Sequence, residues 1–191
     1  MEITSWYFWL ATFTGQALLL VVALPFSALV VWALAVRRRS RGASAAWAWR
    51  SSLADVGMVH GTLPWVWMTM LPGSHAGAVP GRLSLVPLED LPTMGWPGIA
   101  GNLLVFVALG FFAPVRWAAL ASVPRVLALA ASCSVLIEVA QYVLRLDRVS
   151  SVDDVLLNTA GAGLAALAFH RWWRTAATDG AATSERRPLA A

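Results

Sequence analysis

The apolar residues of this chain come in five long blocks, and its arginines lie between the blocks. The blocks cover residues of about 6–36, 53–71, 98–117, 123–144 and 155–173. Each block is close to or longer than the ~20 residues that a transmembrane α-helix needs. Only 13% of the residues are charged, against about 25% in soluble domains. The sequence therefore predicts an all-α, polytopic transmembrane bundle of about five helices in one domain.

The second block and the loop after it are less regular than the rest. The block contains Asp55, His60 and Pro64, so it must bury polar groups inside the bundle. A short stretch with Arg50 precedes it and is expected at the membrane interface. Prolines recur through residues 72–97, which excludes a long helix there. Residues 82–88 are apolar enough to lie on the membrane surface.

The arginines predict an orientation. With five helices and an outer N-terminus, eleven arginines fall on the inner side and three on the outer, namely Arg82, Arg145 and Arg148. This bias favours a cytoplasmic C-terminus. We expect the bundle to span residues 1–174 and residues 175–191 to form a disordered cytoplasmic tail.

Composition and spacing also indicate which partners are absent. No basic stripe with interleaved aromatic residues is present, which argues against a nucleic-acid partner. Cys133 is the only cysteine, so an internal disulfide is excluded, and no Cys/His spacing suggests zinc. The sequence predicts no cofactor and no metal, and it predicts membrane lipid as the partner.

Polar side chains collect near one end of the third, fourth and fifth helices. Ser134, Glu138, Gln141 and Arg145 recur at helical spacing and share one face of the fourth helix. Asp154, Asn158 and Gly161 share a face of the fifth helix. The two helices should pack antiparallel, because a short loop joins them. Their polar faces would then meet beneath the outer surface, with Asn102 of the third helix as another wall.

Two interpretations of this cluster remain open. In a structural network, Asp154 would cap the fifth helix and Asn158 would join helices. In a functional site, the same residues would line a polar pocket open to the outside. In both cases we expect Glu138 to be paired with Arg145 or Arg148, because an isolated carboxylate inside a membrane is costly.

Two ordered motifs resemble the VanZ-like family of bacterial membrane proteins. The first is Leu85-Val86-Pro87-Leu88, followed by a stretch that begins Gly101-Asn102 and ends Gly110-Phe111-Phe112-Ala113-Pro114. The second comprises Ser134, Ile137, Glu138 and Gln141, followed by Arg148, Asp153, Asp154, Asn158 and Gly161. The strongest match covers residues 83–165. The resemblance implies a multi-pass protein of the bacterial cell membrane.

Three positions depart from the family pattern. Ala108 stands where the family usually has proline, so the third helix could be straighter than in relatives. Ser84 stands where the loop usually has asparagine. Ser151 stands where the first acid of a three-acid run is expected, which puts the completeness of the family's chemistry in doubt. The founding member looks like an accessory factor in resistance to teicoplanin, a glycopeptide that binds cell-wall precursors.

The leading hypothesis is an envelope protein with an outward-facing pocket that binds a lipid-linked or peptidoglycan precursor. Glu138 would be its central acid, Arg148 its anion-binding group, and Asp153 and Asp154 its rim. Asn102, Gln141 and Asn158 would orient these groups. The alternatives are an intramembrane enzyme that uses Glu138 or Asp154 as general acid/base, and a structural membrane scaffold.

Overall fold

A computed structural model describes residues 13–173, which form an all-α bundle with one small strand pair. The helices are α1 (Phe13–Ser40), α2 (Ala45–Thr69), α3 (Leu91–Val105), α4 (Val107–Arg116), α5 (Val123–Val143) and α6 (Val152–Ala168). Short 3₁₀ turns follow α4, at Ala118–Leu120, and α6, at His170–Trp172. The predicted bundle of about five helices is confirmed, since α3 and α4 form one interrupted helix.

Three helical segments are long and apolar enough to cross a membrane: Thr14–Ser40, Leu91–Arg116 and Val123–Val143. The chain is therefore a membrane protein by the character of its helices. Only 6% of the most apolar window of the first segment is buried inside the protein, so this helix presents most of its surface outward. The predicted five crossings and the outer N-terminus stay predictions.

Several element boundaries differ from those predicted. Helix α2 begins at Ala45, where Ser44 accepts a hydrogen bond from the backbone N–H of Trp47. The stretch around Arg50 is thus the start of this helix, and its place at the membrane interface stays a prediction. Helix α3 begins at Leu91, inside the loop predicted to extend to residue 97. Gly95 there adopts a left-handed φ of 67° and separates a first turn from the rest of α3.

The interruption between α3 and α4 occurs at Phe106, whose backbone leaves the helical region. Ala108 was expected to straighten this helix, because the family pattern has proline there. The helix is interrupted two residues earlier, at Phe106, and whether it is straighter than in relatives stays a prediction. Gly110 lies against helix α6 here, and a Cβ on it would stand 2.1 Å from the carbonyl oxygen of Ala162.

Small residues bring α6 close to its neighbours. A Cβ on Gly161 would stand 1.9 Å from the carbonyl oxygen of Leu103, which no side chain could tolerate without backbone movement. Such close approach is a common way of packing helices in membranes. The buried core beside it comprises Trp65, Val105, Phe106, Val126, Ala130, Ala162 and Ala166.

A two-stranded parallel sheet closes one end of the bundle, which we call the strand end. Strand β1 (Arg82–Ser84) pairs with β2 (Val149–Ser151), with Leu83 opposite Ser150. The connection into α6 is tight, because Ser151 is the N-cap and accepts from the backbone N–H of Asp153 at 3.1 Å. The opposite end, where α1 and α4 finish at arginines, we call the arginine end.

The predicted tail, residues 175–191, and the first residues of the predicted first helix lie outside the described residues.

Candidate functional site

A cavity of about 830 Å³ lies at the strand end, between the ends of α2, α3, α5 and α6. This volume falls within the range of about 300–1,000 Å³ typical of small-molecule sites. The cavity is not sealed, because several lining residues, such as Arg148, are solvent-exposed. Six of the seven residues predicted to bind a ligand line it: Asn102, Glu138, Gln141, Arg148, Asp154 and Asn158.

Glu138 is anchored to the strand pair. One carboxylate oxygen, Oε2, accepts a hydrogen bond from the backbone N–H of Ser151 at 3.0 Å. The backbone carbonyl of Glu138 accepts from the hydroxyl of Ser150 at 2.9 Å. The side chain is buried. Helix α5 and strand β2 are thereby held together by the residue at the centre of the predicted site.

Glu138 does not form the expected ion pair. Neither Arg145 nor Arg148 makes a salt bridge with it, and the ion pairs within residues 14–173 involve other carboxylates. Arg145 is exposed and sits in a left-handed turn with φ of 50°. The pairing prediction was therefore wrong. Helical spacing put Arg145 on the correct face, but the chain leaves the helix before Arg145 can reach back.

Arg148 and Gln141 instead bind the end of helix α2. Arg148 donates through Nε to the carbonyl of Leu71 at 3.1 Å and through Nη2 to that of Met68 at 3.4 Å. Gln141 donates to the carbonyl of Thr69 at 2.9 Å. The last carbonyls of a helix have no partner within it, so these side chains satisfy them. Both residues thus position α2 as well as lining the cavity.

Asp154, Asn102 and Asn158 connect the helices around the cavity. Asn102 of α3 donates to the Asp154 carboxylate of α6. Asn158, 1% exposed, donates to the hydroxyl of Ser134 on α5 at 2.7 Å. Its Oδ1 is buried and has no hydrogen-bond partner in the structure. A buried amide oxygen beside a cavity is a place where a ligand donor would be favourable.

Asp153 occupies a different environment. Its side chain is fully buried, and it does not belong to the lining of the cavity. Its two carboxylate oxygens accept from the backbone N–H groups of Leu88, at 2.5 Å, and Asp90, at 2.9 Å. Leu88 has a φ of 68°, an uncommon conformation for leucine. Asp153 therefore fixes the turn between β1 and α3, where the sequence had suggested a rim residue.

Asp90 is a residue that the sequence did not single out. It lies in the loop before α3, and its carboxylate accepts a hydrogen bond from the Ser151 hydroxyl. Hydrogen bonds from Ser151 and Ser84 hold the pKa of Asp90 below its usual range. A loop carboxylate has no periodicity to mark it, and only the pairing of β1 with β2 brings Asp90 to Ser151.

The cavity offers carboxylate, amide and guanidinium groups. In the part of the chain that the structure describes, no three His, Cys, Asp or Glu side chains are placed to hold a metal ion.

Comparison with known families shows where this arrangement belongs. The VanZ/LLP1 family profile matches residues 59–174, which is more than half of the 191 residues. The chain belongs to the VanZ/LLP1 family. No curated protein and no solved structure shows significant similarity to it.

The VanZ/LLP1 match contains every predicted site residue, and of the residues that line the cavity only Thr14 of α1 lies outside it. It also extends further toward the N-terminus than the motifs quoted above, and it takes in the second half of α2. That half carries the carbonyls of Thr69 and Met68, to which Gln141 and Arg148 donate, and Leu71 lies just after it. The VanZ/LLP1 region is thus the part of the bundle that builds the cavity, whereas helix α1 lies before it.

Proposed function

We propose that this VanZ/LLP1 protein binds the polar head of an envelope amphiphile in the cavity at the strand end. The observation that carries the proposal is the buried Oδ1 of Asn158, which lacks a partner beside a cavity lined by five other polar residues of the predicted site. Buried polar atoms of Thr62, Thr159 and Trp173 also lack partners, but none of these residues lines the cavity, so the support comes from the position of the Asn158 oxygen beside the cavity.

The chemistry of the lining favours a head that both donates and accepts hydrogen bonds. Glu138, Asp154 and the free Oδ1 of Asn158 are acceptors, suited to hydroxyl, amide or ammonium groups. Arg148 uses Nε and Nη2 on helix α2, and its Nη1 donates to no atom of residues 14–173. A guanidinium group suits phosphate or carboxylate. Lipid-linked cell-wall precursors carry phosphate together with sugar or peptide groups, and we propose this class of ligand.

The proposed setting is the bacterial cell membrane, with several crossings and the strand end outside. The arginine distribution supports this orientation, since most arginines lie toward the arginine end. An outer cavity that holds a precursor head would give a route to reduced glycopeptide action, as the resemblance to a teicoplanin-resistance factor implies.

The direct test is retention of an amphiphile by the full-length protein. Wild type and Asp154→Asn are purified from bacterial membranes in mild detergent, and the bound lipid is measured by native mass spectrometry. Asparagine keeps an acceptor for Asn102 but loses the charge. We expect wild type to retain one amphiphile and Asp154→Asn to retain much less.

A matched control is Glu89→Gln, which removes an exposed carboxylate that does not line the cavity. This variant should retain the amphiphile as wild type does. The proposal is refuted if wild type retains no amphiphile, or if Asp154→Asn retains as much as the control. Inhibitory concentrations of teicoplanin in a sensitive host, with and without the chain, test the resistance link separately.

A second candidate function is acid/base catalysis on the same ligand. It is favoured by one observation, that Glu138 and Asp154 line one cavity. The two carboxyl groups could then act on opposite sides of a bond in the ligand, one as general acid and the other as general base. Incubating the protein in vesicles of a bacterial total lipid extract and following lipid masses over time tests this, since a pure binding protein produces no new species.

A further inference from the structure

A second cavity, of about 380 Å³, adjoins the polar cavity on the other side of Glu138. Its walls are apolar side chains of β1, α5 and α6 and the loop after β1. We call it the apolar groove and define it by Leu83, Leu85, Val135, Val139, Tyr142 and Val155. We propose that the alkyl chain of the amphiphile lies in this groove while its head occupies the polar cavity. This inference rests on the proposed function and assigns the ligand a defined path.

The groove is in a position to receive hydrocarbon. Val135 and Val139 lie on α5, one of the helices long and apolar enough to cross a membrane. Their side chains are 48% and 52% exposed, so they face outward from the bundle. Leu83 and Leu85 form the facing wall and are also exposed. An apolar surface on the outside of a spanning helix is in contact with lipid chains.

Glu138 is the boundary between the two cavities, because its side chain lines both. Hydrogen bonds hold this boundary in place. The backbone N–H of Ser151 and the hydroxyl of Ser150 both donate to Glu138. A single molecule that occupied both cavities would therefore place its polar-apolar junction beside the Glu138 carboxylate.

Physical chemistry limits what the groove can contribute. Moving an alkyl chain from the bilayer into an apolar groove gains little hydrophobic free energy, since lipid tails are as apolar as the groove. Binding strength must then come mainly from the polar head. The groove instead fixes where the chain lies, and it admits only amphiphiles whose chain leaves the head in the direction of Val139.

The test fills the groove without touching the polar cavity. Full-length protein is reconstituted in vesicles of a bacterial total polar lipid extract and then released in mild detergent, and the retained lipid is measured by native mass spectrometry. Val139→Trp places an indole in the groove. Val143→Trp is the matched control, because it makes the same substitution on the same helix, at a position 67% exposed and outside the groove.

Because the indole blocks the direction in which the alkyl chain leaves the head, we expect Val139→Trp to lower retention about tenfold and Val143→Trp to leave it unchanged. Leu85→Asp, on a different element, puts a charge in the groove and should lower retention in the same way. The thermal unfolding temperature of each variant is measured alongside, so that loss of ligand is compared only among folded proteins.

The outcomes separate the groove from the polar cavity. If Asp154→Asn loses the amphiphile while Val139→Trp and Leu85→Asp retain it, the groove inference is overturned and the proposed function stands. If wild type retains no amphiphile, both fail. If Val139→Trp and Val143→Trp lose it equally, the effect belongs to the surface of α5 and the groove inference is again overturned.

Discussion

The carboxylates within the helices have different partners at the two ends of the bundle, although the loops of the strand end also form an ion pair, between Arg82 and Asp147. At the arginine end, the Asp55 carboxylate is held by two arginines, Arg38 of α1 and Arg116 of α4, the second at 2.7 Å. Arg38 also donates to Ser51 and Ser52. At the strand end, Glu138 and Asp154 accept hydrogen bonds from neutral groups and form no ion pair with an arginine.

This difference separates a structural ion cluster from a candidate site. The Asp55 cluster joins α1, α2 and α4, because the Asp55 carboxylate forms ion pairs with Arg38 and Arg116. The strand end leaves two carboxylates and a buried amide oxygen beside a large cavity. Ionisable residues within a membrane are in general a reason to suspect function. Here the carboxylate that is paired with arginines indicates a structural role, and the carboxylates without such a pair indicate a candidate site. We therefore expect substitutions at the arginine end to act on stability, and those at the strand end to act on ligand.

The largest effect on stability is expected for Asp55→Asn. Removing the carboxylate leaves two guanidinium groups facing each other across α2. Breaking a fully buried ion pair costs about 3–5 kcal/mol, and we expect about 2 kcal/mol here because the side chains are about a quarter exposed. Thermal unfolding in detergent measures this loss.

The double variant Asp55→Asn with Arg116→Gln removes one of the two opposed cations and should recover part of the stability. Retained amphiphile, normalised to folded protein, should stay at the wild-type level in both proteins. An Asp55→Asn protein that unfolds normally but loses its amphiphile would reverse the contrast between the two ends.

Asn158→Leu should have the next largest effect. It removes the hydrogen bond to Ser134, and such bonds between membrane helices average about 0.6 kcal/mol and reach about 1.7. Ser134→Ala removes the same bond but keeps the Asn158 amide. We expect similar losses of stability, about 1 kcal/mol, in the two variants.

The two variants should differ in ligand retention, because only Asn158→Leu removes the oxygen that lacks a partner. Native mass spectrometry should find much less amphiphile on Asn158→Leu than on Ser134→Ala. Equal retention by the two variants would mean that this oxygen plays no part in binding.

The sequence correctly predicted the features that follow from helical periodicity. Helical spacing identified Glu138, Gln141, Asp154 and Asn158 as members of facing surfaces, and the structure brings them to one cavity. Block length and composition indicated the bundle itself. These predictions depend only on which face of a helix a residue occupies, which the sequence determines directly.

The features that were missed depend on non-local pairing. The parallel strands β1 and β2 are three residues each, and β2 begins at Val149, 65 positions after β1 ends at Ser84. That pairing decides that Ser151 donates to Glu138 and that Asp153 binds the turn at Leu88. No arginine partner for Glu138 is needed once a backbone N–H is supplied. Likewise, Arg148 reaches α2 because the chain turns sharply at Arg145 and Asp147, which both have positive φ.

Glu138→Gln should change stability by less than Asn158→Leu does, although the residue is buried. Glutamine keeps an oxygen that can accept from the Ser151 backbone N–H, and no salt bridge within residues 14–173 is broken. The expected result is near-normal unfolding with strongly reduced amphiphile, which is the converse of Asp55→Asn.

A matched control for this variant is Gln141→Glu, which introduces the opposite change one helical turn away. It removes the amide that donates to Thr69 and should therefore lower stability more than Glu138→Gln does. If Glu138→Gln unfolds as readily as Asp55→Asn, then Glu138 is as structural as Asp55 and the contrast fails.

The smallest effect is expected for Asp90→Asn, and it should depend on pH. Because hydrogen bonds from Ser151 and Ser84 lower the pKa of Asp90 in the folded protein, its carboxylate stabilises the fold when ionised. The contribution is fully present above the ordinary Asp pKa of 3.8 and is lost as pH falls through the lower folded value.

Wild type should therefore unfold at a slightly higher temperature than Asp90→Asn at pH 7, by less than the difference seen for Asn158→Leu. The gap should close as pH falls below 3.8. Ser151→Ala removes the first of the two donors and should show the same pH-dependent part of the gap, added to a pH-independent loss because Ser151 is also the N-cap of α6. A gap that stays constant through the acid range would mean that Asp90 acts through the shape of its side chain, and that the hydrogen bond from Ser151 does not depend on its charge.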